Sequence, residues 1–503
     1  MSAPRAILAI DQGTTGSRVL LLGPDGTILS SSYREFPQHF PQPGWVEHDA
    51  EEIWRSVRAS LDEALEGAGL GLSDVAAIGI TNQRETTVVW DRASGRPAAP
   101  AIVWQDRRTA QRCAELRGSP AAELIRTRTG LVTDPYFSAT KLEWLLDRNP
   151  EWRARGADGE LLFGTVDSWL VWKLTGGTVH ATDPTNASRT MLYKLGAGWD
   201  EDLCELFGVP RAMLPEVRSS AGDFGLTDGS GFGAECPLAG VAGDQQAALY
   251  GQGGWSSGEA KNTYGTGAFV LFHTGDRRGP DVPGVLTTAA CGPRGELAYA
   301  YEGSILVAGA AIQWLRDGLG LLEDAAMSEA MARSVDGTGG VYFVPAFVGL
   351  GTPHWEPSAR GTILGLTRGT RREHLVRAAV EAMAYSTREV LDAMASGADL
   401  RLVSLNADGG AARNDWLMQF QADLVGVPVQ RPEAVELTAI GAAGLAGVAV
   451  GFWSDPADFL PARGSARTFE PSPEPSAVEE GYAGWLRAVG ATLWWAAGAA
   501  AAD

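Results

Sequence analysis

The stretch I-L-A-I-D-Q-G-T-T-G-S-R-V-L-L-L, residues 7–22, places two short apolar runs on either side of a polar segment that extends from Asp11 to Arg18. Apolar runs of this length, bounded by Gly and Thr, are typical of buried strands, so the stretch predicts a β-hairpin. Its tip combines glycines, which let backbone N–H groups approach a ligand, with Thr and Ser hydroxyls. Such a tip suits an anion, and Asp11 is placed to hold a hydrated cation against bound phosphates. An ordinary Gly-rich turn is the alternative.

The composition restricts the classes of partner. A chain of 503 residues, 45% of them hydrophobic, is expected to form at least two folded domains. Its formal net charge of −20 argues against a nucleic acid or an anionic membrane as partner, because both are bound by clustered Lys and Arg. Only four lysines occur, so arginine and a metal ion would have to supply the positive charge beside a phosphate.

Neither a cysteine metal site nor a membrane segment is predicted. The four cysteines form no C-x-x-C pair, which argues against a zinc site and a disulfide framework and fits a reducing cytoplasm. No apolar signal region precedes the first strand. The longest uncharged stretch, residues 437–453, is interrupted by Gly and Ala and predicts a close-packed interior helix rather than a membrane span. We therefore expect a soluble, cytoplasmic protein.

Candidate polyol-binding residues follow a predicted strand. After the hairpin, apolar spacing predicts a helix over residues 49–66 and a strand over residues 75–80. This order indicates an α/β fold with ligands at the carboxyl ends of strands. Arg84 and Glu85 come directly after that strand. A guanidinium beside a carboxylate can hold adjacent hydroxyls of a polyol, since each hydroxyl both donates and accepts, but a surface ion pair is equally compatible.

Two aromatic residues and one carboxylate extend this candidate site. Trp104 follows a strand-like run, and Tyr136 lies in a turn before a predicted helix. Aromatics at such positions more often belong to a core, but an aromatic wall is also how small polyols are held. Asp244 ends the small-residue strand 238–243 and begins a helix. It could serve as a general base facing a cleft or only cap the helix, and spacing alone does not separate these roles.

A second hairpin repeats the first. Residues 262–272, N-T-Y-G-T-G-A-F-V-L-F, again place a Gly-Thr-Gly turn between two strands. The repeat indicates two related halves, each presenting a phosphate-binding turn to a shared cleft. A helix over residues 308–319 and the Gly pair after residue 408 are weaker signs of a nucleotide site. The P-loop and protein-kinase motifs are absent, and so is H-E-x-x-H.

Six segments together resemble the FGGY carbohydrate kinases, and among them the branch that phosphorylates glycerol. The resemblance runs in one register from about residue 6 to about residue 453. Arg84-Glu85, Tyr136 and the G-D-Q-Q sequence point to the glycerol branch. The segments are 11–18 D-Q-G-T-T-G-S-R, 81–87 T-N-Q-R-E-T-T, 134–141 D-P-Y-F-S-A-T-K, 242–249 A-G-D-Q-Q-A-A-L, 262–269 N-T-Y-G-T-G-A-F and 408–423 D-G-G-A-A-R-N-D-W-L-M-Q-F-Q-A-D.

The resemblance implies an α/β fold of the actin and hexokinase type, with two related ribonuclease H-like domains around a central cleft. Residues 1–252 would carry the glycerol site, the first phosphate turn and the general base. Residues 253–503 would carry the second phosphate turn and the adenosine site. The resemblance also implies ATP and Mg²⁺ as cofactors, glycerol as the substrate, sn-glycerol 3-phosphate as the product, and a homodimer or homotetramer.

Roles of single residues are likewise implied by the resemblance. Asp244 would be the general base, and Mg²⁺ would lie near Asp11, bound through water. Glycerol would contact Arg84, Glu85, Tyr136, Asp244 and Gln245, with Trp104 and Phe269 as apolar walls. ATP would use Thr14, Thr15, Ser17, Arg18, Thr266, Gly309, Gln313, Gly410 and Asn414.

One loop departs from the pattern of the regulated bacterial relatives. Those enzymes carry an Arg that binds a sugar bisphosphate just before the general-base strand, and some carry a phosphorylatable His there. Here Glu235 stands where the Arg is expected, and residues 219–236 contain no His. We expect weak or no regulation by either route. Two other functions stay open, namely a sister kinase for another small polyol or ketose, and a nucleotide-binding interaction protein of the actin or chaperone type.

Overall fold

The structure is a computed structural model that describes residues 5–397, 400–472 and 476–500. Its strands are β1 (Ala6–Gln12), β2 (Gly16–Leu22), β3 (Ile28–Glu35), β4 (Glu47–His48), β5 (Val75–Asn82), β6 (Val88–Asp91), β7 (Ala101–Ile102), β8 (Leu161–Gly164), β9 (Ala181–Thr182), β10 (Tyr193–Lys194), β11 (Gly198–Trp199), β12 (Glu216–Val217), β13 (Leu238–Gly243), β14 (Glu259–Tyr264), β15 (Ala268–Gly275), β16 (Leu286–Cys291), β17 (Leu297–Ile305), β18 (Tyr342–Val344), β19 (Thr362–Leu364), β20 (Ser404–Asp408), β21 (Val429–Pro432) and β22 (Ala466–Phe469).

Helices connect many of these strands. The α-helices are α1 (Ala50–Ala68), α2 (Ala110–Arg117), α3 (Ala121–Thr129), α4 (Ser138–Arg148), α5 (Glu151–Ala157), α6 (Val166–Leu174), α7 (Pro184–Ala187), α8 (Glu201–Leu206), α9 (Gly229–Phe232), α10 (Asp244–Gly251), α11 (Gly309–Asp317), α12 (Met327–Arg333), α13 (Arg372–Ser396), α14 (Asp415–Val425), α15 (Leu437–Ala449) and α16 (Ser476–Ala500). Short 3-10 helices cover Leu72–Asp74, Arg211–Met213, Gly410–Arg413 and Pro456–Arg463.

The first sheet is built around the opening hairpin. Its strand order is β13-β5-β1-β2-β3, in which β1 and β2 are antiparallel and β5 runs parallel to both β1 and β13. The predicted hairpin, helix and strand are therefore confirmed as β1–β2, α1 and β5. Helix α1 begins after Asp49, whose side chain accepts a hydrogen bond from the Glu51 N–H at 2.8 Å. It ends at Gly69, where φ is 63° and a side chain would be unfavourable.

A second sheet repeats this plan. Its order is β16-β17-β15-β14-β20-β21-β22, with β14 and β15 as an antiparallel hairpin. β17 is antiparallel to β15, and on the other side of the hairpin β20 is parallel to β14 and to β21. Both sheets therefore contain a hairpin, a third antiparallel strand on one side and two parallel strands on the other. The internal repeat predicted from the two Gly-Thr turns is confirmed.

Helices cover both faces of the first sheet. In β1, Leu8 and Ile10 belong to an apolar cluster with α1 and α6, whereas Ile7 and Ala9 pack in a separate cluster with α15. This alternation follows from the two-residue period of a strand. It explains why the run preceding Asp11 is apolar at every position, since neither face of β1 meets water.

Residues 437–463 follow strands of the second sheet but pack in an apolar cluster with the first sheet. Both α15 and the 3-10 helix Pro456–Arg463 contribute to the cluster on that face. Nearby, the Trp453 indole N–H donates to the Pro24 carbonyl at 2.9 Å. The chain then returns as β22, which pairs with β21. This segment of the predicted second half, residues 253–503, therefore packs with the predicted first half.

Helix α15 (Leu437–Ala449) covers most of the predicted 437–453 segment and is a close-packed interior helix, as predicted. Its small residues explain the close packing. A side chain on Gly441 would overlap the Ala247 carbonyl oxygen of α10, and one on Gly79 of β5 would overlap the Ala442 carbonyl oxygen of α15. The backbones can meet only because these positions lack a side chain. Within the described ranges, no helix combines the length and the apolarity that a bilayer crossing requires.

We predict that Gly441→Ala lowers the free energy of unfolding by about 1–3 kcal/mol or more, because the added methyl group overpacks a backbone contact. Gly490→Ala is the matched control. Gly490 is also in a helix, but it is exposed and has open space around its Cα. There the change should raise the free energy of unfolding by roughly 0.5–1 kcal/mol. Chemical denaturation of both variants checks this, and a neutral Gly441→Ala would contradict the described packing of α15.

Candidate active site

The candidate site lies where three neighbouring parallel strands end. β1 brings Asp11 to this edge, β5 is followed by Arg84 and Glu85, and β13 is followed by Asp244. Carboxyl ends of adjacent parallel strands meet at one edge of a sheet, which is where α/β proteins bind ligands. The structure thus brings together the charged residues that the sequence placed after separate strands.

A buried network of two arginines and two glutamates forms the floor of the site. Arg84 donates from Nη1 and Nη2 to the two carboxylate oxygens of Glu302, at 2.7 and 2.8 Å. Arg189 donates from Nε to Glu85 at 2.7 Å and from Nη2 to Glu302 at 3.1 Å. All four side chains are at most 2% exposed. The alternative of a surface Arg84–Glu85 ion pair is therefore wrong, and each of these two residues has a different main partner.

Charge in this network is fixed by pairing. Burial alone would raise the pKa of Glu302, but Arg189 and Arg84 outweigh it and lower the pKa to about 2. Burial raises the pKa of Glu85 above its usual value, although Arg84 and Arg189 oppose that shift. Glu302 belongs to β17 of the second sheet, whereas the other three residues precede residue 252. The network therefore joins the two halves by charge.

Sequence reasoning missed Arg189 and Glu302. Arg189 lies in the turn-rich segment 181–195, which shows no catalytic pattern, and Glu302 is a lone acid in an otherwise uncharged strand, β17. A single carboxylate in a buried strand was the available signal, because such a charge requires a partner. Glu85 gave a further signal only in the structure, where its φ of 61° marks a strained backbone position.

Asp244 presents its carboxylate to the cleft. It is the first residue of α10, and the residue that caps the helix is Gly243, so the capping alternative is wrong. Its Oδ1 accepts from the Gln245 N–H at 2.7 Å and lies 3.2 Å from the Arg84 Nε, while the side chain is 33% exposed. Burial raises the pKa of Asp244, although Arg84 and Lys261 oppose the shift. A raised pKa makes a carboxylate a better proton acceptor.

Lys261 is a third functional candidate that sequence reasoning missed. Its Nζ donates to Gln245 Oε1 and, at 2.8 Å, to Thr263 Oγ1. Burial lowers the pKa of Lys261 to about 8, although Asp408 and Asp244 favour the charged form. Gln245 is one of the residues predicted to contact glycerol. Because Lys261 donates to its amide oxygen, its amide N–H₂ is the group that stays free to donate a hydrogen bond to a substrate.

An aromatic corner stands beside these charges. The rings of Trp104 and Tyr136 meet edge to face with centroids 5.6 Å apart. The Tyr136 hydroxyl is 3.4 Å from the Arg84 Nη2, and the Arg189 guanidinium lies 5.5 Å above the Tyr136 ring. Phe269, the other predicted wall residue, is half-buried in β15 of the second sheet. The two aromatics of the first half therefore adjoin the buried network.

The first Gly-Thr turn exposes backbone donors. The Gly13 N–H donates to the Gly16 carbonyl at 2.9 Å, which closes the turn. Among the described residues, the N–H groups of Thr14 and Thr15 have no acceptor. The Trp104 indole N–H donates to Thr14 Oγ1 at 3.0 Å, so the aromatic corner touches this turn.

Two residues predicted to bind ATP through side chains at this turn have other partners. The Ser17 hydroxyl is fully buried against the Ser56 hydroxyl of α1 at 2.8 Å. The Arg18 Nη1 is 3.4 Å from Glu436, directly before α15, and the guanidinium also lies 5.1 Å above the Tyr33 ring. Arg18 faces Asp11 across the hairpin.

The second Gly-Thr turn is held by the start of α11. The Thr266 carbonyl accepts from the N–H groups of Ala308 and Ala310 at 2.8 and 3.1 Å. Gly309 packs directly on Gly265, where a Cβ would lie 2.6 Å from the carbonyl oxygen. Gln313 is exposed on the same helix. The structure therefore places Thr266 against the start of α11, the helix that carries Gly309 and Gln313.

The third Gly-rich segment lies beside the second turn. β20 is parallel to β14, and after it the backbone at Gly409, with φ of 88°, packs so closely on Tyr264 that a side chain would overlap it. Gly410 next to it faces open space. Asn414 caps α14 by accepting from the Leu417 N–H at 2.9 Å, which leaves its amide N–H₂ to donate.

Asp11 has the properties of a carboxylate that meets a cation. Burial, together with the nearby Asp244 charge, raises its pKa to about 7, whereas Arg18 lowers it. In the described part of the chain, no group of three or more His, Cys, Asp or Glu residues could hold a metal ion by itself. One carboxylate with water and phosphate ligands is the arrangement that Mg²⁺ commonly takes, so the donor set fits this ion.

Comparison with known proteins identifies the family. The N-terminal domain model of the FGGY family of carbohydrate kinases matches residues 6–251, and the C-terminal domain model matches residues 260–450. The chain belongs to the FGGY carbohydrate kinases. The family predicted from the six sequence segments is thereby confirmed.

Relatives within the FGGY family match almost the whole chain. The glycerol kinase of Carboxydothermus hydrogenoformans is 55% identical over 485 residues, which cover 96% of this chain and 97% of that protein. The glycerol kinase of Bacillus subtilis is 51% identical over 489 residues, which cover 97% and 99%. The structure of Plasmodium falciparum glycerol kinase with ADP has a TM-score of 0.91 at 35% identity and covers 98% and 99% of the two chains. Xylulose kinase from Rhodospirillum rubrum has a TM-score of 0.85 at 25% identity, covering 98% and 100%. The predicted fold class is confirmed.

The raised pKa of Asp11 predicts a pH dependence of stability. Between about pH 4 and pH 7 the folded protein keeps a proton on Asp11 that the unfolded chain releases, so the ligand-free protein loses stability as the pH rises through this window. Asp11→Asn cannot lose that proton. Its melting temperature relative to the natural protein should therefore increase from pH 5 to pH 8.

Asp25→Asn serves as the control for this measurement. Asp25 is exposed, and its hydrogen bond from Thr27 lowers its pKa, so it is ionised throughout pH 5–8. Its melting-temperature difference should stay flat over that range. A flat difference for Asp11→Asn as well would show that the pKa of Asp11 is not raised.

Proposed function

We propose that this protein transfers the γ-phosphoryl group of ATP to glycerol and forms sn-glycerol 3-phosphate and ADP. The observation that carries the proposal is the position of Asp244, whose partly exposed carboxylate lies 3.2 Å from Arg84 at the edge where the first phosphate turn begins. The relatives that match over nearly the whole chain are glycerol kinases, which supports the same substrate here.

Glycerol binds between the aromatic corner and the charged floor. Asp244 accepts from one hydroxyl, and the free amide N–H₂ of Gln245 donates to another, because Lys261 holds the amide oxygen. Arg84 and Glu85 line the floor with their remaining donor and acceptor capacity. Trp104 and Tyr136 cover the carbon atoms, with Phe269 on the side of the second sheet. A three-carbon polyol suits a site with one small apolar corner and several convergent polar groups.

ATP binds across the two sheets. The N–H groups of Thr14 and Thr15 donate to phosphate oxygens from the first turn, and Thr266 does so from the second. Gly309, Gln313, Gly410 and Asn414 hold the nucleoside end beside the second sheet. Mg²⁺ near Asp11, bound through water, supplies positive charge to the phosphates when present. Arg18 adds a further positive charge on this side of the cleft.

The chemistry requires alignment more than covalent help. As the glycerol oxygen bonds to the γ-phosphorus and the bond to the ADP oxygen breaks, Asp244 accepts the proton of the attacking hydroxyl. The raised pKa of Asp244 favours that transfer. Closing the two halves excludes water, which would otherwise compete with glycerol as the nucleophile.

Four further expectations remain predictions. The domain roles on either side of residues 252 and 253 and a homodimer or homotetramer follow from the resemblance, and a cytoplasmic location follows from the cysteine pattern and the start of the sequence. Weak or absent regulation by a sugar bisphosphate follows from the departure at Glu235. Glu235 is exposed at the end of the 219–236 segment, where a negative charge would repel such an anion.

A coupled assay of ADP release over a panel of polyols tests the substrate. We expect the highest kcat/KM with glycerol and much lower values with erythritol and xylulose, since the larger substrates need the space that Trp104 and Tyr136 occupy. The fold alone does not determine the substrate, because a xylulose kinase has a similar structure. The comparison of glycerol with xylulose therefore distinguishes the two activities. Preferred turnover of xylulose would replace the proposal with a ketose kinase, and full ADP release without any polyol would replace it with an ATPase.

Asp244→Asn should lower kcat by ~10²–10⁴ with only a modest change in glycerol affinity, because the amide keeps the shape of the side chain but accepts no proton. Asp223→Asn, an exposed carboxylate before the same strand, is the control and should leave kcat unchanged. Steady-state kinetics of both variants check this. An unchanged kcat in Asp244→Asn would exclude Asp244 as the general base.

A further inference from the structure

The first phosphate turn is held from behind by side-chain amides. The Gly13 carbonyl accepts from Gln12 Nε2 at 2.6 Å and from Gln83 Nε2 at 3.3 Å, and the Thr14 carbonyl accepts from Gln38 Nε2 at 2.8 Å. Hydrogen bonds from glutamine amides thus hold two successive carbonyls of the turn, those of Gly13 and Thr14.

This arrangement determines where the backbone donors point. In a planar trans peptide, the carbonyl of one residue and the N–H of the next point in opposite directions. Fixing the Gly13 carbonyl therefore directs the Thr14 N–H to the opposite side, and fixing the Thr14 carbonyl does the same for the Thr15 N–H. Within the described ranges, neither of these two N–H groups has an acceptor.

His48 contacts two of these glutamines, Gln38 and Gln83. Its Nε2 is 2.6 Å from Gln38 Oε1, and its Nδ1 is 3.4 Å from Gln83 Nε2. An amide oxygen can only accept, so Nε2 carries the proton and Nδ1 faces an N–H₂ donor as an acceptor. This pattern fixes the orientation of the Gln38 amide, with its N–H₂ toward the Thr14 carbonyl. Burial lowers the pKa of His48 to about 4, which keeps the ring neutral and the pattern intact.

The ring itself is anchored away from the cleft. His48 is fully buried in β4, which pairs with β7, and it meets the Phe36 ring edge to face with centroids 5.0 Å apart. The Phe36 N–H in turn donates to the Thr15 carbonyl at 3.3 Å. No step of the proposed phosphoryl transfer uses His48. Its three neighbours Gln83, Gln38 and Phe36 nevertheless hydrogen-bond the carbonyls of Gly13, Thr14 and Thr15, respectively.

We propose that His48 is a positioning residue for nucleotide binding, which orients Gln38 and Gln83 so that the N–H groups of Thr14 and Thr15 are directed at the phosphates of ATP. This inference rests on the proposed function, in which this turn binds ATP. It adds a residue outside the cleft that contacts neither substrate.

His48→Phe tests the inference, with His180→Phe as the matched control. His180 is a partly buried histidine of the first half and bonds the Phe163 carbonyl at 2.8 Å, but its contacts do not include the turn. We expect His48→Phe to lower kcat/KM for ATP by about 10–100-fold, because the amides of Gln38 and Gln83 lose their partner and the turn loses its orientation. Glycerol affinity without nucleotide should stay within about twofold of the natural value. His48→Gln, which keeps a side-chain donor and acceptor, should recover part of the loss.

Several outcomes would overturn the inference. These are an unchanged kcat/KM for ATP in His48→Phe, an equal loss in His180→Phe, or no recovery in His48→Gln. Should His48→Phe fail to fold, Gln38→Met removes both the donor to the Thr14 carbonyl and the acceptor for His48 Nε2, and Gln42→Met is its control because Gln42 is exposed in the same loop. Equal kinetics of those two variants would overturn the inference as well. The natural protein is assayed alongside, and absence of ATP-dependent glycerol phosphorylation there would count against the proposed function instead.

Discussion

The structure depends on the pairing of one carboxylate, that of Glu302, with two guanidinium groups. A buried charge is tolerated only when it is paired and hydrogen-bonded, and Glu302 reaches that state by accepting from Arg84 and Arg189 of the other half of the chain. Since Arg84 also lies beside Asp244 and Tyr136, the same pairing sets the floor of the polyol site. Glu302 therefore links the relative position of the two sheets to the geometry of the reacting hydroxyl.

Close backbone packing provides the second link between the halves. Helix α15 follows strands of the second sheet but packs on the first, where Gly441 and Gly79 let backbones meet without side chains between them. Glu436, just before this helix, reaches back to Arg18 of the first hairpin. The chain crosses between the halves at this helix. Because the backbones are already in contact at its glycines, any closer approach would overpack them, which restricts the position of the helix.

The sequence predicted those features that arise within short segments. Both hairpins, the helix after Asp49 and the residues at strand ends have local signals of apolar period and turn chemistry, and all were found where expected. What it did not predict depends on partners far along the chain. Arg189 and Glu302 are separated by more than a hundred residues, and neither stands in a recognisable pattern. The contact of the Ser17 hydroxyl with Ser56 of α1 has no local signal for a related reason, since its partner lies on an element further along the chain.

In the proposed reaction, the two sheets contribute unequally to phosphoryl transfer. Asp11 and the first turn follow β1, and Asp244 follows β13, so the proposed proton acceptor and the proposed first set of phosphate donors lie on the same edge of one sheet. The second turn and the Gly409-Gly410 segment belong to the other sheet. Alignment of the hydroxyl with the γ-phosphorus then depends on how the sheets are held, since errors of about 1 Å in position are costly to such a reaction. A charged network centred on Glu302 and a glycine-lined helix are two physically different restraints on that one distance.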